Sequence, residues 1–224
     1  MIKPALVLAF SVFVVGCTTE KQKSPTPVEE KPYTLVWVES TQSIPSNANQ
    51  YKADIIRHAQ ATFGINAPIS ILAAQIHKES TWREDAKSPY AEGLAQFTPQ
   101  TEEHVKNKYP VLSYGDALNP IWSIQAQMLY DNELKTKVDA IDECNDWALT
   151  FAMYNGGSGW IWKEKNLAEA SGVDRNQYFD GVENFNGGRR LSAKKENRDY
   201  PRKIILELQM MYQEGGWSGV IICD

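Results

Sequence analysis

The chain has 224 residues, of which 42% are hydrophobic and 23% charged, and its formal net charge is −5. This composition is typical of a globular protein with one sizeable core, and it excludes the disordered and fibrous classes. A negative net charge without long runs of like charge provides no general attraction for phosphate backbones, so we expect no nucleic acid partner.

The first 16 residues have the pattern of an export signal. Lys3 supplies a positive charge, and residues 5–15 form an apolar run. Because that run is too short to span a bilayer, it indicates a signal peptide rather than a transmembrane helix.

Residues 14–17, VVGC, resemble the lipobox of bacterial lipoproteins, which implies cleavage before Cys17 and attachment of lipid to its thiol. Thr18 follows where inner-membrane lipoproteins carry aspartate, so the resemblance implies an outer-membrane lipoprotein facing the periplasm. An ordinary signal peptide that ends nearby is the alternative. Residues 17–32 are polar and contain three prolines, and we predict a lipid-anchored tether that reaches on the order of 50 Å when extended.

The remaining chain, residues 33–224, is predicted to be one mainly α domain with its core at about 47–214. Residues 33–38 are β-prone and are expected to form an arm packed on the domain. From residue 47 onward, apolar periodicity and capping residues indicate helices. Predicted helix starts lie at Asn47, Pro68, Thr98-Pro99, Asn119-Pro120, Asp146 and Pro201.

The second predicted helix carries an acidic residue on its apolar face. Ile69, Leu72, Ala73 and Ile76 form a stripe that continues to Glu79. Glu79 lies only about 20° from Leu72 around the helix axis. Partial burial of a carboxyl group raises its pKa, which is what a general acid needs near neutral pH. On this feature alone, a buried structural glutamate satisfied by a salt bridge or a backbone cap is the favoured interpretation.

Four short motifs then follow one another along most of the domain. They are ES at 79–80 with SP at 88–89, GLAQFTPQT at 93–101, YNGG at 154–157 and ENRDY at 196–200. In this order they resemble the motifs of family 1 lytic transglycosylases, bacterial relatives of goose-type lysozyme. The resemblance implies a lysozyme-like single catalytic domain. Three positions depart from the family pattern, because Ala95 replaces methionine while Met153 and Gly156 replace alanines.

The resemblance also implies roles for individual residues. Glu79 is the expected catalytic residue, and Tyr200 is expected to hydrogen-bond to it and orient it. Amide and hydroxyl side chains suit contacts with sugar hydroxyl and acetamido groups, because they donate and accept without adding charge. The residues expected to bind substrate are Ser88, Gln96, Tyr154, Asn155 and Glu196.

The implied reaction is cleavage of the β-1,4 bond between N-acetylmuramic acid and N-acetylglucosamine in peptidoglycan glycan strands. Glu79 would protonate the leaving oxygen and then take the proton of the muramic acid 6-hydroxyl, which leaves a 1,6-anhydro end. Asp85, Glu92 and Glu196 are possible acidic partners. A goose-type muramidase that hydrolyses the same bond, with water positioned by Glu196 or Asp85, is the nearest alternative. A non-catalytic, glycan-binding envelope lipoprotein is another.

No cofactor is expected, and the three histidines lack the spacing of a zinc-binding helix, so no metal is expected either. Once Cys17 is assigned to lipid, Cys144 and Cys223 remain in an oxidising compartment. They are candidates for one disulfide, although the sequence does not establish whether their Cα atoms come within reach of a bridge. Protein partners and oligomeric state are not indicated.

Overall fold

The computed structural model describes residues 31–224, so the predicted signal peptide, Cys17 and nearly all of the predicted tether lie outside the described residues. Residues 33–224 pack as one unit, and the predicted mainly α fold is confirmed. Within residues 31–224, β-structure is limited to isolated bridges, and no helix is long and apolar enough to cross a membrane. The helices are α1 (Lys52–Phe63), α2 (Ile69–Ser80), α3 (Pro99–Lys108), α4 (Pro120–Lys135), α5 (Glu143–Gly156), α6 (Ser158–Ala170), α7 (Leu191–Arg202) and α8 (Gln209–Glu214).

Two predicted helix starts have the expected capping geometry. The Thr98 hydroxyl accepts the backbone N–H of Thr101, and the Asn119 carboxamide accepts the N–H groups of Ile121 and Trp122. A proline follows each cap in the first helical position, where its missing N–H costs nothing. The local prediction is therefore confirmed at α3 and α4.

The prediction that Pro201 begins the last long helix is wrong, because α7 already begins at Leu191 and Pro201 lies inside it. Proline has no N–H to donate to the carbonyl of Asn197 one turn earlier. The Tyr178 hydroxyl donates to that carbonyl instead, at 3.4 Å. A tertiary contact thus compensates for an interior proline that reads locally as a helix start.

A π-helical segment, Lys203–Leu208, joins α7 to α8. The arm at residues 33–38 forms no strand, and at its end the Val38 N–H donates to the Leu206 carbonyl of this segment at 2.9 Å. Tyr33 is buried against the domain. The arm is therefore fixed to the domain at its first and last residues, whereas Val36 and Trp37 between them are exposed.

Helix α2 lies at the centre of the domain and packs against α1, α8 and the π-helical segment. Leu72, Ala73 and Ile76 are fully buried, as the apolar stripe predicts. The core extends beyond residues 47–214, because Trp217 and Ile222 of the C-terminal tail are also buried.

The C-terminal tail is held by side-chain and covalent links. Buried Gln209 pairs with the backbone of Ile222, accepting its N–H at 2.7 Å and donating to its carbonyl at 2.8 Å. Beside this pair, a disulfide joins Cys223 to Cys144 at the start of α5, with 4.7 Å between the two Cα atoms. The tail is thus attached to both α8 and α5.

Candidate active site

The chain turns sharply directly after Glu79, which lies in the last turn of α2. Thr81 and Trp82 both have left-handed backbone conformations, with φ of 54° and 61°, which non-glycine residues adopt at a cost. The fully buried Trp82 indole donates to the Tyr212 hydroxyl at 2.6 Å, and its carbonyl accepts from Asn47 at 2.7 Å. These contacts fix the turn that places Glu79 at the end of a rigid helix.

The Glu79 carboxyl meets the Tyr200 hydroxyl, which donates to its Oε1 at 2.5 Å. Burial raises the pKa of Glu79 from 4.5 to about 7, because the charged form loses hydration. The Tyr200 hydrogen bond and the Lys78 charge oppose this rise, whereas the Glu196 charge adds to it. Near neutral pH, Glu79 is therefore present in comparable amounts as acid and as carboxylate.

The Glu79 side chain lines a cleft with a volume of about 360 Å³. The cleft brings together every residue that the sequence predicts to be catalytic or substrate-binding, namely Glu79, Ser88, Gln96, Tyr154, Asn155, Glu196 and Tyr200. A neighbouring cavity of about 400 Å³ shares Asn155 and Glu196 with it and is lined by the Trp160 ring. The concave surface therefore continues past α5 toward the start of α7.

One wall of the cleft is a tight loop between α2 and α3. Gly93 is required there, because its φ is +78° and a Cβ would lie 1.7 Å from the Ala117 carbonyl oxygen. Gln96 is also left-handed, with φ of 49°, and its side-chain N–H group donates to the carbonyls of Ala86 and Gly93 at 3.0 and 2.9 Å. The Gln96 amide thus braces the loop through its nitrogen, which leaves its oxygen as the acceptor for a ligand.

Ser88 and Tyr154 also take part in the loop structure. The Ser88 hydroxyl accepts the Ala91 N–H at 2.9 Å and closes a turn at the cleft edge. The Tyr154 hydroxyl donates to the Ala95 carbonyl at 2.7 Å, which links the end of α5 to the loop. Both residues are at the cleft, but their hydroxyl groups already have protein partners.

Asn155 is oriented by a buried polar chain that sequence reasoning did not predict. Arg189 forms a bidentate ion pair with Glu164 and also donates to Asn197 Oδ1 at 2.7 Å. Asn197 Nδ2 in turn donates to the Ala152 carbonyl at 2.8 Å and to Asn155 Oδ1 at 3.1 Å. Because the oxygen of Asn155 is occupied, its NH₂ group is the part that it offers to a ligand.

Of the three acids considered as partners of Glu79, only Glu196 lines its cleft. Glu196 is exposed and lies one helical turn before Tyr200 on α7. Glu92 lines a different cavity, and Asp85 lies in neither. Tyr90 was not predicted, although it lines the cleft with 79% of its surface exposed. Among residues 31–224, no cluster of three or more histidine, cysteine or acidic side chains has metal-binding geometry.

Relatives of this chain carry one recurring name, membrane-bound lytic murein transglycosylase F. The chain is 31% identical over 111 residues to the protein of Shewanella sediminis, an alignment covering 49% of this chain and 22% of the relative. It is 30% identical over 112 residues to that of Vibrio parahaemolyticus, covering 49% and 20%, and 32% identical over 114 residues to that of Hahella chejuensis, covering 49% and 21%. The alignments thus span about a fifth of these relatives' length.

A family model described as the transglycosylase SLT domain matches residues 54–177, which is more than half of the chain. The match contains Glu79, Gln96 and Asn155, whereas Glu196 and Tyr200 lie beyond it and are placed in the cleft by the fold. The predicted resemblance to family 1 lytic transglycosylases is confirmed at the level of the domain. The chain belongs to the transglycosylase SLT domain family and has its lysozyme-like fold.

Proposed function

We propose that this protein is a lytic transglycosylase that cleaves the β-1,4 bond between N-acetylmuramic acid and N-acetylglucosamine in peptidoglycan. The observation that supports it most directly is the pairing of Glu79 with Tyr200 at the base of the cleft, where burial keeps the pKa of Glu79 at about 7. A group with that pKa can deliver a proton and later accept one at the pH where it works. Both steps of the proposed reaction use this single carboxyl.

In the first step, the proton of Glu79 passes to the glycosidic oxygen as the C1–O bond breaks and positive charge develops on the muramic acid ring. Because Tyr200 donates to Oε1, the acidic proton is carried by Oε2. In the second step, the Glu79 carboxylate takes the proton of the muramic acid 6-hydroxyl, and the oxygen of that hydroxyl forms a bond to C1. The products are a free 4-hydroxyl and a 1,6-anhydro ring, and Glu79 is protonated again without consuming water.

The polar groups of the cleft complement an N-acetyl sugar. Asn155 offers N–H donors because Asn197 occupies its oxygen, and Gln96 offers an oxygen because its nitrogen braces the loop. An acetamido group carries one carbonyl acceptor and one N–H donor, so the two side chains match its two polar ends. The exposed Tyr90 ring provides an apolar face for a pyranose.

A muramidase that hydrolyses the same bond with water is the second candidate, and one observation favours it. Glu196 lines the cleft together with Glu79, which provides a second carboxylate that could position water. Mass spectrometry of digested sacculi separates the two functions. The transglycosylase proposal requires 1,6-anhydro-muropeptides, and products with only reducing ends would establish the muramidase instead.

The catalytic role of Glu79 is tested with Glu79→Gln, which keeps the size and the hydrogen-bond acceptor but removes the acidic proton. Release of muropeptides from purified sacculi should fall by at least about a hundredfold. Glu103→Gln is the matched control, because Glu103 is exposed and outside the cleft, and it should retain full activity. Full activity of Glu79→Gln would overturn the assignment of Glu79 as the catalytic acid, whereas a wild type that releases no muropeptides would leave the non-catalytic, glycan-binding role as the better proposal.

The anchoring of the protein is a separate proposal. The lipobox resemblance at residues 14–17 supports lipid attachment to Cys17, with the domain facing the periplasm from the outer membrane. Radiolabelled palmitate should be incorporated into the wild-type protein and not into Cys17→Ala. Fractionation should then find the wild type in outer membranes. Recovery of unlabelled wild-type protein from the soluble periplasm would contradict the proposal.

A further inference from the structure

A polar cluster without any surface exposure lies behind the catalytic carboxyl. It consists of Gln75 on α2 and of Gln127 and Asp131 on α4, all 0% exposed. Gln75 precedes Glu79 by one helical turn, so the cluster joins the helix of the catalytic residue to its neighbour. The proposed reaction assigns no task to these three side chains, and burying them is costly unless their polar atoms are paired.

The hydrogen bonds among the three side chains form two sides of a three-membered ring, and the third side is open. Gln75 Nε2 donates to Asp131 Oδ1 at 3.1 Å, and Gln127 Nε2 donates to Gln75 Oε1 at 2.6 Å and to the Leu72 carbonyl at 3.2 Å. Two buried oxygens then have no donor, Asp131 Oδ2 and Gln127 Oε1. Each unpaired buried acceptor costs about 1–3 kcal/mol, so two in one cluster require an explanation.

A single proton on Asp131 Oδ2 would pair both of these oxygens. Gln127 and Asp131 lie four residues apart on α4, so their side chains are neighbours on the same face of the helix. If Oδ2 carries a proton, it donates to Gln127 Oε1 and closes the third side of the ring. We propose that Asp131 is a permanently protonated positioning residue, which closes a hydrogen-bond ring with Gln75 and Gln127 and leaves Glu79 as the carboxyl that titrates there.

The surroundings of Asp131 favour its neutral form. The titratable groups near it are Glu79 on α2, Tyr154 on α5 and Tyr200 on α7, together with Tyr130 on its own helix, and each of them is neutral or negative. Burial raises the pKa of Asp131 well above its ordinary value and outweighs the interactions with Gln75 and Gln127, which lower it, while the Glu79 charge raises it further. The Lys78 charge acts on Glu79 and lies over the Tyr200 ring, and Asp131 forms no ion pair with any described residue.

The neutral state of Asp131 matters for the proposed function, on which this step rests. An ionised Asp131 would add a second negative charge near Glu79 and raise the pKa of Glu79 further, because like charges disfavour each other's ionisation. Glu79 would then hold its proton too tightly to act as a base. A protonated Asp131 keeps the two helices linked through hydrogen bonds without adding that charge.

The protonation state of Asp131 can be measured by NMR, independently of an activity assay. In the full-length protein, the ¹³C carboxyl resonance of Asp131, assigned by its loss in Asp131→Asn, should show no titration between about pH 4 and pH 8. The Glu79 resonance should titrate near pH 7 in the same spectra. An Asp131 resonance that titrates within this range, or that is already ionised throughout it, would overturn the proposal and leave the proposed function untouched.

Two variants test the positioning role by their kinetics. Asp131→Asn keeps both polar ends, since its NH₂ can donate to Gln127 and its oxygen can accept from Gln75, so kcat/KM should stay within about twofold and the pH profile should not move. Asp131→Leu removes the ring and should lose at least about tenfold in kcat/KM. If Asp131→Asn shifted the alkaline limb of the profile to lower pH, Asp131 would carry a charge in the wild type, contrary to the proposal. The activity of Glu79→Gln, by contrast, tests only the proposed function, and its outcome does not bear on this ring.

Discussion

The raised pKa that Glu79 needs for its proposed role as acid and base comes at the expense of stability. Its pKa is about 7 in the folded protein against 4.5 when free, so the folded state binds more protons between these values and the free energy of unfolding falls as pH rises through them. We expect Glu79→Gln to be up to about 3 kcal/mol more stable than the wild type at pH 8 and nearly equal at pH 4. Urea unfolding at both pH values measures this difference, and an equal difference at both would show that the proton is not its cause.

In the proposed reaction, Tyr200 acts through Glu79. Its hydrogen bond favours the carboxylate, so in Tyr200→Phe the pKa of Glu79 should rise and the alkaline limb of the kcat/KM profile should move to higher pH. Loss of orientation should also lower kcat about tenfold or more. Tyr109→Phe removes a hydroxyl bonded to the Leu129 carbonyl, away from the cleft, and should leave the profile in place. An unmoved limb in Tyr200→Phe would contradict the assigned coupling.

At the scale of elements, the junction of α5 and α7 shows why this chain has glycine where its family motif has alanine. A Cβ on Gly156 would lie 2.4 Å from Arg189 Nη1 and 2.5 Å from Asn197 Nδ2. Gly156→Ala should therefore displace the polar chain that orients Asn155, costing about 1–3 kcal/mol and raising KM for glycan strands. Thermal unfolding and kinetics measure the two effects.

Gly159 provides the matched control for that substitution. It lies in the first turn of α6, and a Cβ there would meet no atom within 4 Å. Gly159→Ala should be neutral or stabilising by up to about 1 kcal/mol, because alanine has the better helix propensity. Equal losses in both variants would show that helix position, and not the contact with Arg189 and Asn197, limits residue 156.

The elements that could be predicted are those encoded by neighbouring residues. The caps of α3 and α4, the apolar stripe of α2 and the end of α5 near Gly156 depend on short-range patterns, and they agree with the structure. α6 was not predicted, because the glycine pair before it reads as a stop, and Pro201 was misassigned. For Pro201, the deciding contact comes from Tyr178, which is distant in sequence.

The site divides in the same way. Its motif residues could be placed at one cleft because the family resemblance supplies their order, and residues such as Glu79 and Asn155 do line it. The links that orient them join different helices, as between Asn197 and Asn155 or between Gln75 and Asp131. No local pattern encodes such pairs, since the same residue types on a helix surface would be solvated.

At the scale of the whole molecule, helix α2, which carries Glu79, is held in place by the two ends of the domain. The arm is hydrogen-bonded to the π-helical segment that packs on α2, and the tail buries Trp217 against Trp82, which fixes the turn after Glu79. The Cys144–Cys223 disulfide closes this arrangement covalently. Global stability and the geometry of the cleft are therefore coupled through the tail.

Reduction of the disulfide tests this coupling. Cys144 and Cys223 are separated by 79 residues, so their bridge restricts a large loop of the unfolded chain and should contribute about 2–5 kcal/mol to stability. A reductant should lower the urea midpoint of the wild type to that of Cys144→Ser/Cys223→Ser and leave the double variant unchanged. Because the tail supports the Trp82 turn, the reduced wild type and the double variant should both lose activity at a lower temperature than the oxidised wild type, in parallel with unfolding of the tail. Reduced protein that keeps its full thermal range of activity would show that hydrogen bonding by Gln209 and burial of Trp217 are enough to hold the tail.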